Sequence, residues 1–406
     1  MGINFNKFST LLKNLGNTRP ILYLCGLLKN LPECFVGAWQ YIRLRFLDGA
    51  SNARRALVVE FNSFHGETLP GFVRYLQDLG YDATVITRYC SYADSPFVRM
   101  EKKPRHYCLT IWGMRHFLKS ARAKEFDFIL YNSAHLYLNE YRFFGRLRDF
   151  LGGNILGGHK GFALIEHSLK PGTDLEYFLG LPDEALDKKN LYYRSFVLTT
   201  QTIAGHAIPM LNPCYFGEIN KGHTLNSKRI FLTIGNVLSS GRNFTQLFET
   251  IRHLNGDFEV WIIGRVLEES LIKDIPSCVK VLGRMTFAEM YKRLEQADFF
   301  LPLLDPKAQS LYLQGCTSGS RQLILGGCIP SVMHETFAKH YGFTFGSCMT
   351  YSNDDSFADA LRKALVMERE VYLAMRRELE IISMKVYHES LDNLKRILRS
   401  DVEGVF

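Results

Sequence analysis

The sequence has no Walker motif G-x-x-x-x-G-K-[ST] and no G-x-G-x-x-G fingerprint. Simple NTPase and nicotinamide readings lose their main support with them. Its nine cysteines, at 25, 34, 90, 108, 214, 278, 316, 328 and 348, form no C-x-x-C pair, and no His stands at zinc-ligand spacing from any of them. An odd number of unclustered thiols predicts a reduced, intracellular protein without structural zinc. Zinc-finger and RNP signatures and aromatic–basic interleaving are also missing, which sets nucleic acid aside as a partner. No apolar run approaches the eighteen or so residues that a spanning helix needs. The stretch Ile21 to Leu28 is short, ends at Lys29, Pro32 and Glu33, and does not make a standard secretory signal.

What is present is ordinary globular material. The 406 residues are 47% hydrophobic and 22% charged, with 30 Phe and 20 Tyr, enough for two or three domains and more than one core. The charge is uneven. Residues 1–215 hold 26 Lys and Arg against 18 Asp and Glu, whereas the remainder holds 23 of each, so the whole excess of +8 sits in the first half. Basic runs there include Arg99, Lys102, Lys103 and Arg105, then Arg115, Lys119, Arg122 and Lys124, then Arg142, Arg146 and Arg148. They read either as solvated helix faces or as the footprint of an anionic partner, a membrane surface or an acidic acceptor. Residues 1–50 read as short helices. Phe5, Phe8, Leu11, Leu12 and Leu15 fall at helical spacing, to pack on the domain or lie on a membrane beside Lys7 and Lys13.

Periodicity organises the rest. Ala56 to Phe61 is a continuous run suited to a strand buried on both faces, and Pro70 opens a helix that ends at Gly80. Asp82 to Thr87 completes a β-α-β unit, and further strands are predicted at Phe126–Tyr131, Phe162–Ile165 and Phe196–Thr199. The pattern restarts with strands at 229–234, 258–263, 279–283, 299–304 and 329–333 and a helix from Phe244 to Leu254. Thr286 and Glu289 are spaced as a capping box, and residues beyond about 356 read as helical. Two similar β-α-β series predict an α/β protein of two doubly wound, Rossmann-like domains facing each other across a cleft.

Ligands of open parallel sheets bind beyond the carboxyl ends of the strands. Three clusters fall there in the second half. Gly315 to Arg321 is a small, hydroxyl-rich turn before a short helix, suited to an anion at a helix N-terminus. Gly235-Asn236 to Gly241-Arg242-Asn243 is a glycine loop with a cation at the head of the next helix. Gly264-Arg265 and Gly283-Arg284 each follow a strand directly. Asn353-Asp354-Asp355 precedes a helix, where acids complement the dipole, so no metal dependence is expected.

These residues carry a resemblance. Val279-Lys280-Val281-Leu282-Gly283-Arg284, Phe287-Ala288-Glu289-Met290-Tyr291, and Gln296-Ala297-Asp298-Phe299-Phe300-Leu301-Pro302 resemble the donor domain of GT-B glycosyltransferases. Gly327-Cys328-Ile329-Pro330 stands where members end a helix in G-x-P-V, and with Ser320-Arg321 is similar to exostosin-like transferases. His65-Gly66-Glu67, with the helix running to Gly80 and the strand to Thr87, is similar to the family's opening. The resemblance covers roughly 54–370 and implies a nucleotide-sugar donor, UDP- or GDP-linked, on the second domain and an acceptor on the first, with no cofactor. Gly283 and Arg284 would lie near the base; Asn236 and Arg265 would border the donor; Arg242, Ser318, Gly319, Ser320 and Arg321 would hold the diphosphate. Where retaining members commonly carry glutamates, this chain has Asp305, Gln309 and Gln322, and Gln322 would hydrogen-bond a ribose.

The implied divisions are a helical extension over 1–50, an acceptor domain over 51–215, a donor domain over 216–370, and C-terminal helices over 371–406 packing back on the first domain. The first-domain loops offer His65, Glu67, Glu166 and His167 as the base that takes a proton from the acceptor hydroxyl. The expected function is sugar transfer to a glycan or lipid-linked acceptor in cell-surface polysaccharide synthesis, such as lipopolysaccharide or capsule. The expected place is the cytoplasm, peripheral on the inner membrane face through the basic first domain. A nucleotide-sugar epimerase has no need of that basic domain, and a phosphorylase would bring a pyridoxal-binding lysine that is not identifiable. A noncatalytic nucleotide-sugar binding protein would not need several candidate bases.

Overall fold

The computed structural model describes residues 33–47, 53–138, 143–152, 156, 158–167, 194–199, 201–203, 206–218 and 223–403. The helical spacing at Phe5 to Leu15 and the run Ile21 to Leu28 lie outside these residues.

A helix over 33–42 (α1) runs into a π-helical turn, Arg43–Leu47. Then follow β1 (Arg55–Val59), α2 (Leu69–Asp78), β2 (Asp82–Thr87), α3 (Tyr89–Ala93), β3 (Arg105–Cys108), α4 (Ile111–Leu118) and β4 (Phe128–Tyr131). A hairpin of β5 (His135–Leu138) and β6 (Phe143–Arg146) precedes α5 (Leu147–Leu151), β7 (Phe162–Glu166) and β8 (Ser195–Val197). The sheet order is β3-β2-β1-β4-β7-β8. β1 is central because its residues are apolar without interruption: it is buried throughout and pairs in parallel with β2 and β4.

A second hairpin, β9 (Gln201–Ile203) and β10 (His206–Ile208), leads to the second series. Its elements are β11 (Arg229–Ile234), α6 (Phe244–Arg252), β12 (Phe258–Ile263), β13 (Val279–Gly283), α7 (Phe287–Gln296), β14 (Phe299–Phe300), α8 (Leu311–Gln314), α9 (Gly319–Gly327), β15 (Ser331–His334), α10 (Glu335–Tyr341), β16 (Cys348–Tyr351), α11 (Asp354–Leu365) and α12 (Arg369–Glu403). The order is β13-β12-β11-β14-β15-β16, the same doubly wound arrangement as in the first sheet. Alternate residues serve opposite faces. Leu232, Trp261, Ile263 and Phe300 join one core with Ile324 and Leu325. Phe231, Val260, Ile262 and Phe299 join the other with Leu247 and Phe357.

Two details refine the sequence reading. β14 ends at Phe300, well before residue 304: Leu301 still donates to Leu232, but Pro302 has no N–H and Leu303 turns to φ 53°. β3 and β16, edge strands with only two buried residues each, carry no apolar run to announce them.

The described residues divide into two compact units. The first falls within Met1–His65, Gly80–Ala93 and Pro104–Phe162; the second within Gly66–Leu79, Asp94–Lys103 and Ala163–Phe406. In the second unit α12 rests on α2, where Tyr387 stacks on Tyr75 at 5.0 Å. Ser390 Oγ accepts from Asn212 N at 3.0 Å, and Asn393 Nδ2 donates to the Met210 carbonyl at 2.8 Å.

Candidate functional site

In the second unit, glycines end the three strands β11, β12 and β13. Gly235 donates to Ile263 O at 2.8 Å and Gly264 donates to Gly283 O at 2.9 Å, so the three chains cross in contact. The crossing demands glycine: at φ 157°, a Cβ on Gly264 would sit 1.8 Å from Gly235 O. The result is a shelf of bare backbone at the carboxyl edge of the sheet. Asn236, Arg265 and Arg284 stand exposed just beyond it.

Beside the shelf lies the head of α9. Ser318 has extended backbone and its hydroxyl accepts from Ser320 N at 3.3 Å, an N-cap. Gly319 is exposed, and nothing lies within 4 Å of the place a Cβ would take. The open turn therefore presents the positive end of the helix dipole beside the shelf.

Arg242 fixes that arrangement. Its guanidinium donates to Ile234 O at 2.5 Å, to Pro302 O, and to Ser320 Oγ at 3.3 Å. It thus ties the end of β11, the turn after β14 and the first turn of α9 together. Burial lowers its pKa to about 10. The expectation that Arg242 holds a diphosphate directly gives way to a positioning role, because its donors are spent on two carbonyls and a hydroxyl. Arg321 departs further. It is buried, its Nε donates to Tyr341 O at 3.3 Å, and its surroundings are Cys214 and Tyr341 in the core. Burial lowers its pKa. Facing the core, Arg321 does not join the open turn. Gln322 is buried too, and its Oε1 accepts no hydrogen bond among the described residues.

The loop facing residues 235–243 is closed by its own side chains. Asp305 Oδ1 accepts from Lys307 N and Ala308 N, each at 2.8 Å, while Gln309 accepts from Asp305 N at 2.6 Å and donates to Ser240 O at 3.3 Å.

The first unit holds a different constellation at the carboxyl ends of β1 and β4. Glu60, fully buried, accepts from Asn62 N at 2.7 Å, Asn132 Nδ2 at 2.6 Å and Ser133 Oγ at 2.7 Å. Burial raises its pKa to about 7, against the opposing charge of nearby His65 and these hydrogen bonds. His65 is half-buried at φ 66°, a left-handed conformation held in part by Asn132 Nδ2, which donates to its carbonyl at 3.1 Å. His65 was legible as a loop histidine. Glu60 is absent from the residues the sequence offers as bases, although a carboxylate closing the run Ala56-Leu57-Val58-Val59 is the signal that marks it.

The other candidate bases belong to the second unit. Glu166 is buried at the end of β7, His167 follows it half-buried, and Glu67 lies near Tyr291, whose hydroxyl is pushed up by burial and then by Glu67's charge. Among the described residues no group of three or more His, Cys, Asp or Glu is placed to hold a metal ion. Among them, too, no helix is long and apolar enough to cross a membrane.

This architecture recurs in solved structures. Anabaena Alr3699/HepE, in complex with UDP and glucose, matches with a TM-score of 0.51 at 11% identity over 86% of this chain and 99% of that one. AviGT4, a glycosyltransferase of avilamycin A biosynthesis, matches at 0.47 and 10% identity over 83% and 98%. The lipopolysaccharide outer core galactosyltransferase WaaB matches at 0.42 and 12% identity over 85% and 99%. At the level of sequence, no protein-family profile and no curated protein matches. The chain has the GT-B fold, with two parallel six-stranded sheets and surrounding helices.

Proposed function

We propose that this protein transfers a sugar from a nucleotide-sugar donor, UDP- or GDP-linked, to a glycan or lipid-linked acceptor in cell-surface polysaccharide synthesis. The observation that carries the reading is the head of α9. A serine-capped, glycine-open helix start, pinned by Arg242 beside a shelf without side chains, suits a diphosphate with its nucleoside laid along the strand ends. Asn236, Arg265 and Arg284 would border the nucleoside, and Ser318, Gly319 and Ser320 would meet the phosphates.

On the first unit, His65 would take the proton from the acceptor hydroxyl as the new bond to the sugar carbon forms and the diphosphate leaves. Glu60 would share that proton load through its coupling to His65. The reading places the protein on the inner face of the membrane. Part of its basic run is internally paired, Arg105 to Asp82 in the first unit and Arg99 to Glu295 in the second, whereas Lys102 and Lys103 are exposed.

Calorimetry with UDP, GDP and dTDP tests the donor site. UDP or GDP should bind, and Gly319→Asp should weaken that binding by about tenfold or more, because a carboxylate would face the phosphates at an open position. Wild-type protein that binds none of them, or a Gly319→Asp variant with unchanged affinity, would remove the site.

A further inference from the structure

We propose that α1 with its π-helical turn is an interfacial helix that lies in the headgroup region of an anionic lipid bilayer. The helix is inverted relative to a soluble one. Its polar residues face the protein: Glu33 and Gln40 are buried, with Glu33 bound to Arg88 at 3.0 and 2.9 Å and Gln40 donating to Tyr92 at 3.0 Å. Gly37 and Leu44 complete that inner face, Gly37 packed against Thr110. The outer face is apolar. Phe35 is 75% exposed, Trp39 57%, Ile42 43% and Phe46 69%, and their spacing of four, three and four residues puts them on one stripe. The remaining exposed residues of the helix are Cys34 and Ala38.

Such a stripe calls for a partner, and the charges around it select a lipid surface. The helix's one acid, Glu33, is buried and paired. Arg43 and Arg45 are half-buried on its flanks, Arg45 reaching Tyr41 Oη at 2.6 Å and His116 Nε2 at 3.3 Å. On neighbouring α4, Trp112 and His116 are exposed, as is Lys119 directly after it. Large aromatics below, cations at the shoulder and no exposed acid within residues 33–47 are the composition of a helix lying flat at an anionic interface. Fifteen residues span about 22 Å, enough to lie along the surface and too short to cross it.

This proposal does not rest on the sugar-transfer reading, and nucleoside-diphosphate binding, run in parallel, reports on that reading separately. The full chain is sedimented with vesicles of phosphatidylcholine alone or with phosphatidylglycerol, as wild type and as F35S/W39S/F46S, with circular dichroism and the melting temperature recorded for both. Wild type should bind the anionic vesicles, show tryptophan quenching by brominated lipid, and keep part of its binding at high salt. The triple variant should fold and melt as wild type yet lose roughly tenfold or more of the partition coefficient. Wild-type binding by the variant, complete release of wild type by salt, or no binding at all would overturn the proposal. So would a markedly lower melting temperature in the variant, which would show the stripe covered within the chain. A wild-type dimer that the variant abolishes would overturn it as well, by assigning the stripe to a second copy.

Discussion

Glu60 shows how one residue's chemistry is set by its enclosure. With a native pKa of about 7 against a usual 4.5, the protonated carboxyl favours the folded state. That contribution is complete below the unfolded value and is lost as pH rises through 7. Stability should therefore fall between about pH 5 and pH 7, by up to about 3 kcal/mol, and then level off. In Glu60→Gln this limb should flatten while Asn132 and Ser133 keep a neutral partner; denaturant midpoints taken across that range check it. The sequence offered His65 through residue type alone. It did not offer the coupling, because Glu60's raised value comes from its burial, and its partners Asn132 and Ser133, more than seventy positions away, are brought to it only by the pairing of β1 with β4.

Among the elements, those with strong periodicity were legible and the edges were not. β1, β11 and β12 are central strands and read as apolar runs, and the capping box of Thr286 and Glu289 on α7 is formed as its spacing predicts. Arg242 and Arg321 each stand at a helix start, where a cation suits a phosphate ligand. Position along the chain does not say which way an arginine points, and packing turned both inward. Asp298, part of the A-D signature behind the resemblance, also has a structural task. It is fully buried at the amino end of β14, accepting from Ile230 N at 2.7 Å and Asn226 N at 2.9 Å. That is the opposite end from the shelf. At this scale Arg242→Lys should be a poor replacement, since one ammonium cannot span three acceptors on three elements. The variant should lose about 1–3 kcal/mol of stability and bind nucleoside diphosphate more weakly, although Arg242 reaches no ligand in this scheme; a thermal melt and calorimetry on the same sample check both.

For the whole molecule, the repeated doubly wound plan was readable from two β-α-β series, but the course of the chain between compact units was not. α2 and residues 94–103 group with the second unit, which no local pattern announces. There α12 closes over α2 through buried polar contacts that each satisfy a backbone group. Asn393→Ala would leave the Met210 carbonyl without its donor, and it should cost about 1–3 kcal/mol. The thermal transition of the variant should move down accordingly, with Asn393→Asp failing to restore it because a carboxylate offers no donor.

The glycine crossing has an evolutionary consequence. Wherever a descendant keeps the contact between Gly235 and Gly264, selection would freeze both positions whatever the shelf binds, since a side chain at 264 collides with the Gly235 carbonyl and one at 235 with the Arg242 guanidinium. Invariance there would record how two chains pass each other. Substitutions would instead accumulate at Asn236, Arg265 and Arg284, which stand exposed at the rim and can be exchanged without disturbing the crossing.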